Sequence, residues 1–519
     1  MATHLVDLLR HFASETPDAP CLAHEDTLLS FAALDQRSNR LANALRAGGI
    51  EAGDRVAILD RTSPASYELF FACAKIGAIM MPLNWRLSAR EIAGILRDGT
   101  PSLMLVAPDL LPLLAEAPAS PHQIELGQIE LGAPYAAWRD AAGTLDPALP
   151  RAATDPLLLL YTSGTTGAPK GVILTHESHA HNGRIAAEAW EFTSSSVNLV
   201  AMPLFHIGGI GYGMMALSQG GHTVLMQQPD PAVVLDLVAR HHVTHAFFVP
   251  TVIQRLVEYV ETGIAVPSGL QRMIYGAAPI GESILRRAMA AFGCSFTHAY
   301  GMTETSGTVV TLPPADHDPD GPHPERLRSC GKPLPWVDIA LVDPATGEPV
   351  AKGNVGEIRI RSAMNMAGYW GKPDETSATI TSDGWLCTGD AAWQDDEGYL
   401  YIHDRYKDMI VSGGENIYPA ELENALQAHP QIAEVAVIGT PHPRWGETPR
   451  AYVVPRGEPG PSEADVIAFT RNRLAHYKCP TSVVFVSSLP RNASGKLQKN
   501  ELRLLDRQRA QDAFSKTDR

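Results

Sequence analysis

A glycine- and threonine-rich stretch, Tyr161-Thr-Ser-Gly-Thr-Thr-Gly-Ala-Pro-Lys-Gly171, concentrates groups that bind anions. Its glycines leave backbone amides unobstructed, its hydroxyls donate hydrogen bonds, and Lys170 adds a positive charge. This chemistry predicts a loop that holds the polyphosphate of a nucleotide. The spacing differs from that of a P-loop, because Pro169 precedes the lysine and Gly171 stands where a serine or threonine would follow. A plain surface turn is the alternative.

A second motif, Ala299-Tyr-Gly-Met-Thr-Glu304, follows a strand predicted over residues 295–297. Tyr300 can stack on adenine, Thr303 can bond a phosphate, and Glu304 can bind Mg²⁺. An ordinary turn between a strand and a helix fits this hexapeptide equally well.

Two further motifs are weaker when each is taken alone. Thr388-Gly-Asp390, with Arg405 shortly downstream, places a carboxylate beside a tight turn, which suits the hydroxyls of a ribose. A turn or helix-capping aspartate is the alternative. Pro490-Arg-Asn-Ala-Ser-Gly-Lys496 carries a lysine on a glycine hinge, a pattern that is typical of an exposed loop.

Short apolar segments alternate with amphipathic ones from about residue 50 to residue 300, and each predicted strand is followed by a predicted helix. The strands are predicted over 55–60, 102–106, 157–161, 198–202, 245–249 and 272–275, and examples of the helices over 65–78, 231–241 and 282–292. The pattern predicts an α/β fold whose mostly parallel sheets are covered by helices on both faces. The glycine-rich loop then lies at the carboxyl edge of a sheet, where ligands bind in such folds.

The pattern of apolar and polar residues changes after about residue 330. Alternating apolar and polar residues over 337–342 and 355–361 predict a small antiparallel sheet or barrel. From residue 405, two predicted helices (420–428 and 464–476) interleave with strands predicted over 432–438, 450–454 and 482–486. We therefore expect a large N-terminal domain, 1–404, and a small α+β C-terminal domain, 405–519, of about 110 residues.

Composition limits the class of protein. The chain has 519 residues, of which 45% are hydrophobic and 19% charged, values typical of a globular enzyme. The net charge of −15 argues against nucleic acid as the main partner. Six scattered cysteines without a C-x-x-C pair predict a reducing compartment. Because no signal peptide or membrane-spanning run is recognisable, we expect a soluble cytoplasmic protein.

Taken together and in this order, the four motifs resemble those of the acyl-adenylate-forming superfamily, which includes acyl-CoA synthetases, 4-coumarate–CoA ligases, amino-acid adenylation domains and firefly luciferase. Gly276-Ala-Ala-Pro279, Gly384-Trp-Leu-Cys-Thr-Gly-Asp390 and Asp404-Arg-Tyr-Lys-Asp-Met-Ile410 fit the same pattern, and the resemblance extends from Leu29 to Lys496. It implies an acid–CoA ligase with ATP, Mg²⁺ and coenzyme A as cofactors. Such an enzyme converts a carboxylic acid and ATP to acyl-AMP and pyrophosphate, and then transfers the acyl group to CoA.

The resemblance also implies residue roles. The β- and γ-phosphates would be held by Thr162, Ser163, Gly164, Thr165, Thr166, Gly167 and Lys170. Adenine, the α-phosphate and the acyl carboxylate would be contacted by Gly276, Ala277, Ala278, Pro279, His298, Ala299, Tyr300, Gly301, Met302 and Thr303. His298 stands where relatives commonly carry asparagine or glutamine. Glu304 would bind Mg²⁺, and Asp390 with Arg405 would hold the ribose.

Lys496 corresponds to the adenylation lysine of the superfamily. A carboxylate must attack an α-phosphate, and an ammonium placed between these two anions offsets their repulsion. The resemblance further implies that the C-terminal domain rotates about Lys407 after adenylation, so that the backbone of Ser412, Gly413 and Gly414 lines a pantetheine channel. Candidate contacts for the CoA nucleotide are Trp445 and Lys478, for which an exposed aromatic and a surface lysine are the alternatives.

The acyl pocket is expected at Met202-Pro-Leu-Phe-His206-Ile-Gly208-Gly209, together with Gly276. Adenylation domains for amino acids usually carry an aspartate at the position of His206, so an amino acid is disfavoured. The glycines leave volume for a long or flat acid, or serve helix–sheet packing. A medium- or long-chain fatty acid is predicted, with an aryl acid such as a benzoate or cinnamate as the alternative. No carrier domain follows the last motif, which favours free CoA; a homodimer is left open.

Three other functions are alternatives to the ligase: a metal site, a serine hydrolase and a non-catalytic sensor. His176, Glu177, His179 and His181 cluster as metal ligands could, but their spacing is not that of H-E-x-x-H. No serine lies in the G-x-S-x-G pattern of serine hydrolases. A non-catalytic acyl or nucleotide sensor with the same fold is the alternative of another class, and the presence of Lys496, Glu304 and Asp390 counts against it.

Overall fold

The computed structural model describes residues 4–117, 127–162, 169–405, 408–412, 415–491 and 497–517. The helices are α1 Leu5–Glu15, α2 Phe31–Ala47, α3 Pro64–Ile76, α4 Ala89–Gly99, α5 Ala133–Asp140, α6 His176–Arg184, α7 Ile207–Ser218, α8 Pro231–His241, α9 Pro250–Val260, α10 Glu282–Phe292, α11 Pro373–Thr379, α12 Pro419–Gln427, α13 Glu463–Arg471 and α14 Lys499–Thr517.

The strands are β1 Pro20–His24, β2 Thr27–Ser30, β3 Arg55–Leu59, β4 Ile79–Pro82, β5 Leu103–Val106, β6 Gly127–Glu130, β7 Pro156–Thr162, β8 Lys170–Thr175, β9 Val197–Val200, β10 His222–Leu225, β11 His245–Phe248, β12 Arg272–Gly276, β13 Ser295–Met302, β14 Gly307–Leu312, β15 Lys332–Pro333, β16 Asp338–Val342, β17 Gly356–Arg361, β18 Gly368–Tyr369, β19 Leu386–Gln394, β20 Leu400–Arg405, β21 Ile410–Ser412, β22 Glu415–Ile417, β23 Ile432–His442, β24 Gly446–Pro455 and β25 Ser482–Phe485.

Two large, mostly parallel sheets form the body of the first 400 residues, as the α/β pattern predicts. One has the strand order β15-β14-β13-β12-β11-β9-β10-β1-β2, and the other has the order β18-β8-β7-β4-β3-β5-β6. The strands from β13 to β1 run parallel in the first sheet, and those from β7 to β6 run parallel in the second. Helices pack against both sheets over a continuous apolar core in which Trp190 and Phe70 are fully buried.

Two smaller sheets follow. The predicted antiparallel sheet has the order β16-β17-β19-β20. Beyond it, β22-β21-β24-β23, with β25 parallel to β24, forms a further sheet that packs with α12, α13 and α14. The apolar core of this last unit comprises clusters separate from the large one, and its first member is Ile410. None of the helices in the described ranges combines the length and apolar character needed to cross a bilayer.

Two predicted element types near the motifs differ from the structure. The strand β7 is not followed by a helix but by the antiparallel strand β8, so the glycine-rich stretch connects a hairpin. The strand β13 continues through the Tyr300 motif to Met302, with a bulge between Tyr300 and Gly301. A Cβ at Gly301 would lie 1.8 Å from the carbonyl oxygen of Gly307, so the glycine permits the close approach of β14 that extends the strand.

Buried neutral histidines make the stability of this fold sensitive to acid. His179 on α6 is 0% exposed, and burial lowers its pKa from 6.5 to about 3. The unfolded state therefore binds a proton more readily than the folded state does. The stability contributed by the neutral ring is present above pH 6.5 and is lost as pH falls from 6.5 towards 3, at about 1.4 kcal/mol per pH unit.

We predict that His179→Gln reduces the fall in the thermal unfolding midpoint between pH 6.5 and 4.5, because one protonation linked to unfolding is removed. The measurement is a series of thermal unfolding curves over this pH range, with His11→Gln, a change at an exposed residue, as the control. Parallel pH profiles for the wild type and His179→Gln would contradict the prediction.

Candidate active site

The hairpin β7–β8 fixes both ends of the predicted phosphate loop. Thr162 and Lys170 are paired across its open end, and Tyr161 is paired with Gly171 one step further in. A Cβ at Gly171 would lie 2.9 Å from Leu159 Cδ1 and 3.1 Å from Tyr161 Cζ, so the missing side chain lets the two arms pack closely. The chain therefore leaves this sheet at Thr162 and re-enters it at Lys170, at adjacent points of one edge.

Several predicted site residues lie outside the described ranges: Ser163, Gly164, Thr165, Thr166, Gly167, Lys407, Gly413, Gly414 and Lys496. Their roles stay predictions from the sequence.

Glu304 lies in a single helical turn, Thr303–Thr305, directly after β13. Glu304 is only 7% exposed, and Tyr369 Oη donates a hydrogen bond to Glu304 Oε1 at 3.0 Å. Burial raises the pKa of Tyr369, so the phenol stays protonated and is the donor. The ammonium of Lys170 lies 4.9 Å from the centroid of the same ring. One aromatic residue thus joins the phosphate-loop hairpin to the predicted metal-binding carboxylate.

Tyr300 and Asp390 connect the first large sheet to the antiparallel sheet. Tyr300 Oη lies 2.8 Å from Asp390 Oδ2 and donates to it, and burial raises the pKa of Tyr300. Asp390 is 8% exposed and lies on β19, where its Cα partner on β20 is Arg405. The two residues predicted to hold a ribose are therefore cross-strand neighbours in the hairpin β19–β20.

His298 lies on β13, two residues before Tyr300. Its Nδ1 is 3.3 Å from the carbonyl oxygen of Cys330, which can only accept, so Nδ1 carries the proton. Burial lowers the pKa of His298 to about 4, so the ring is neutral and Nε2 is left as a hydrogen-bond acceptor.

The segment Gly276 to Pro279 leaves the end of β12 beside this motif. Gly276 is paired with Ala299, and a Cβ there would lie 2.1 Å from the Ala299 carbonyl oxygen, a contact that no side chain can make. Ala277 has a φ of 64°, in the left-handed region, and Ala278 and Pro279 continue the turn. The structure therefore brings Gly276, Ala299 and Tyr300 together at the carboxyl edge of one sheet.

The glycines of the predicted acyl segment have different surroundings. A Cβ at Gly209 would lie 2.1 Å from the Pro203 carbonyl oxygen, so this glycine serves packing at the start of α7. A Cβ at Gly208 would meet Phe247 Cε1 at 3.6 Å and Met202 Cε at 3.8 Å, which are ordinary van der Waals contacts. Of these two glycines, Gly208 is therefore the one where a methyl group fits, and the side-chain atoms that it would contact are apolar.

His206 precedes α7 as its capping residue. Its Nε2 is buried and, among the residues that the structure describes, has no hydrogen-bond partner. Burial lowers the pKa of His206 to about 4, so the ring carries no charge at neutral pH. This side chain is a polar group in an apolar wall, and it offers no negative charge to an ammonium.

The candidate CoA contacts lie in the C-terminal unit. Ser412 ends β21 and is bridged to Gly446. Trp445 is 43% exposed, with the Arg444 guanidinium 4.4 Å from its ring centroid. Lys478 forms an ion pair with Glu421 at 2.8 Å. Trp445 is therefore open to a ligand, whereas Lys478 is paired within the unit.

The histidine cluster near residue 176 is part of the core. His176 and His179 are buried, and burial lowers the pKa of each to about 3. His181 instead lies near Trp336, at 6.4 Å between ring centroids. Within the described ranges, no three histidine, cysteine, aspartate or glutamate residues are arranged to hold a metal ion.

Sequence reasoning did not assign Tyr369, which the structure places at the centre of the site. The sequence gives only a weak indication of this residue, because Gly368-Tyr-Trp370 is not part of any of the motifs described above and lies about 200 residues after Lys170. The short strand β18 carries Tyr369 to β8, where Tyr369 is paired with Val172.

Comparisons with known proteins match nearly the whole chain. Residues 9–370 match the AMP-binding enzyme family and residues 421–496 its C-terminal domain. The chain is 38% identical to the fatty acid–acyl-carrier-protein ligase ScoC of Streptomyces coeruleorubidus, over 96% of both chains. It is 40% identical to a feruloyl-CoA synthase of an Amycolatopsis species, over 95% of this chain and 96% of the relative. The crystal structure of ATP-bound MatB from Rhodopseudomonas palustris superposes with a TM-score of 0.88 at 31% identity, covering 97% of this chain and 99% of that one.

The two site glycines give a test of this geometry. We predict that Gly276→Ala destabilises the protein by about 1–3 kcal/mol, because its Cβ must displace the backbone of β13. Gly208→Ala, the matched control, adds the same methyl group at a position where it makes only ordinary van der Waals contacts with Phe247 and Met202, and it leaves stability unchanged. Thermal or denaturant unfolding of the two variants measures the difference, and equal stabilities would contradict the steric account.

Proposed function

The chain belongs to the AMP-binding enzyme family, the acyl-adenylate-forming superfamily, and on this premise we propose that it activates a carboxylic acid with ATP and transfers the acyl group to coenzyme A. It is an AMP-forming acid–thiol ligase. The identity of the acid, the identity of the thiol and the roles of individual residues are what we propose. The observation that carries the proposal is the convergence of Lys170 and Glu304 on Tyr369, which joins a polyphosphate loop to a buried carboxylate.

The nucleoside is proposed to bind beside the Tyr300–Asp390 pair. Asp390 accepts a hydrogen bond from Tyr300, and a carboxylate group can accept several hydrogen bonds, which suits the hydroxyls of a ribose. Its cross-strand partner Arg405 would hold the same ribose. The unprotonated Nε2 of His298 can accept from the amino group of adenine.

Glu304 is proposed to bind Mg²⁺ together with the phosphates of ATP. Mg²⁺ is a hard cation that proteins usually bind through one or two carboxylates plus substrate phosphates, and a buried carboxylate with one oxygen already fixed by Tyr369 fits this role. When bound, Mg²⁺ neutralises part of the polyphosphate charge.

In the adenylation step, a carboxylate oxygen of the acid attacks the α-phosphorus, and an oxygen–phosphorus bond forms. The bond between the α-phosphorus and the bridging oxygen breaks, and pyrophosphate leaves. Lys170 and the loop that it ends would hold the leaving pyrophosphate, while Thr303 would contact the α-phosphate. The ammonium of Lys496 would stabilise the charge that develops as two anions approach.

In the second step, the thiol sulphur attacks the acyl carbon and AMP leaves. We assign this step to a second position of the C-terminal unit, taken as a domain from residue 405 onward that turns about Lys407. The separate apolar cores before Ile402 and after Ile410 support a division at this point. Ser412, Gly413 and Gly414 would then line the pantetheine path, with Trp445 against the CoA nucleotide.

The acid is proposed to be a medium- or long-chain fatty acid. Gly208 faces apolar atoms of Phe247 and Met202, and the relative ScoC is named for a fatty acid. An aryl acid is the second candidate, because Phe247 offers a flat apolar surface and another relative is named for feruloyl-CoA. Neutral His206 supplies no negative charge for an amino acid's ammonium.

We predict that Lys496→Ala lowers acid-dependent ATP–pyrophosphate exchange by at least about 100-fold, because the ammonium between two anions is lost. The same variant converts supplied acyl-adenylate and CoA to thioester at a rate near that of the wild type. Lys499→Ala is the control, since it removes a nearby ammonium that is paired with Glu423 at 3.0 Å. Equal losses in both half-reactions of Lys496→Ala would contradict separate positions for the two steps.

The acid is tested with a panel of fatty and aryl acids in the ATP–pyrophosphate exchange assay, followed by thioester formation with CoA. We predict the highest kcat/KM for a fatty acid of medium or long chain. Gly208→Leu should lower kcat/KM for the preferred acid about tenfold or more, because the larger side chain would extend against Phe247 and Met202 in the proposed acyl segment, and should spare acetate or butyrate. If no acid supports exchange, the proposed function is wrong; if an aryl acid is preferred, the second candidate replaces the first.

A further inference from the structure

Tyr369 is held rigidly beside the phosphate-loop hairpin by its backbone. On either side of it, Ala367 N donates to the carbonyl oxygen of Ile173 at 3.0 Å, and Trp370 N donates to that of Gly171 at 2.8 Å. The residue is 9% exposed. The ring is therefore fixed relative to β8 rather than free to follow a ligand.

The hydroxyl of Tyr369 also fixes Glu304. It donates to Oε1 at 3.0 Å, and Met366 N donates to the Glu304 backbone carbonyl at 2.8 Å, so side chain and backbone of Glu304 are both tied to the segment around β18. A hydrogen bond to one carboxylate oxygen orients the group and leaves the second oxygen for a cation. Such outer contacts determine how well a carboxylate binds a metal.

The face of Tyr369 takes the ammonium of Lys170, at 4.9 Å from the ring centroid, within the range of a cation–π interaction. Both Lys170 and Glu304 are described, and no ion pair within 4.0 Å joins them. One neutral side chain thus contacts a cation through its ring and an anion through its hydroxyl.

We propose that Tyr369 is a positioning residue that keeps Lys170 and Glu304 apart and correctly oriented, so that Glu304 is available to Mg²⁺ and Lys170 to the polyphosphate. This inference rests on the proposed function. It assigns the two contacts of one side chain to two separate parts of the substrate: the hydroxyl to the cation and the ring to the phosphates.

Two variants separate these contacts. Tyr369→Phe keeps the ring against Lys170 and removes the hydrogen bond to Glu304, whereas Tyr369→Leu removes both. Tyr399→Phe is the matched control, because Tyr399 Oη donates to Asp316 Oδ2 at 2.9 Å and its ring takes Lys332 at 4.2 Å, with none of these residues in the candidate site.

The test is the dissociation constant of ATP measured by calorimetry without acid, once with Mg²⁺ and once with EDTA. We expect the wild type to bind ATP more tightly with Mg²⁺. Tyr369→Phe should reduce that Mg²⁺ advantage about tenfold and leave binding in EDTA unchanged. Tyr369→Leu should also weaken binding in EDTA, by about threefold. Tyr399→Phe should match the wild type in both conditions.

Suppose that Mg²⁺ tightens ATP binding by the wild type, and that it tightens binding by Tyr369→Phe to within twofold of the same extent. That result would overturn the role of Tyr369 and leave the proposed function standing. A wild type whose ATP affinity is the same with and without Mg²⁺, and which shows no acid-dependent exchange, would overturn the proposed function and this inference together.

Discussion

Repulsion between two anions is the constraint on which this structure depends. A carboxylate and a triphosphate must meet in a protein that itself carries a net charge of −15. Like charges at contact distance oppose each other strongly in a site from which water is excluded. The positive groups therefore have to be placed individually, and the negative ones have to be oriented. The proposed roles of Lys170, at the face of the Tyr369 ring, and of Glu304, at its hydroxyl, meet both needs.

The fold provides this placement through close backbone contacts at sheet edges. Gly171, Gly276 and Gly301 each lie where a Cβ would collide with a neighbouring strand or side chain. These contacts set the two hairpin arms against each other, the end of β12 against β13, and the β13 bulge against β14. Preorganised charges need little rearrangement when charge develops in a reaction, and close backbone contacts of this kind support the side chains that would carry those charges.

The sequence predicts the architecture well and the detailed site only in part. The apolar runs of β3, β7, β11 and β12 are recognisable because parallel strands are buried on both faces. The hairpin at Lys170–Thr175 is missed because a short buried strand and the start of a helix look alike at this length. The contacts of Tyr369 depend on the pairing of β18 with β8, two strands far apart in sequence, which no local pattern encodes, whereas the Asp390–Arg405 register lies within the hairpin of the consecutive strands β19 and β20. His298 and His206 are noticed as residue types, but their neutral state follows from burial that only the fold reveals.

The central claim is that the acid is activated by attack on the α-phosphorus of ATP. Turnover of an acid labelled with ¹⁸O in both carboxylate oxygens tests it directly, with mass spectrometry of the phosphorus-containing products. The account predicts that one labelled oxygen is transferred to the phosphate of AMP and that pyrophosphate is unlabelled. Unlabelled AMP, or label in inorganic phosphate released together with ADP, would contradict it.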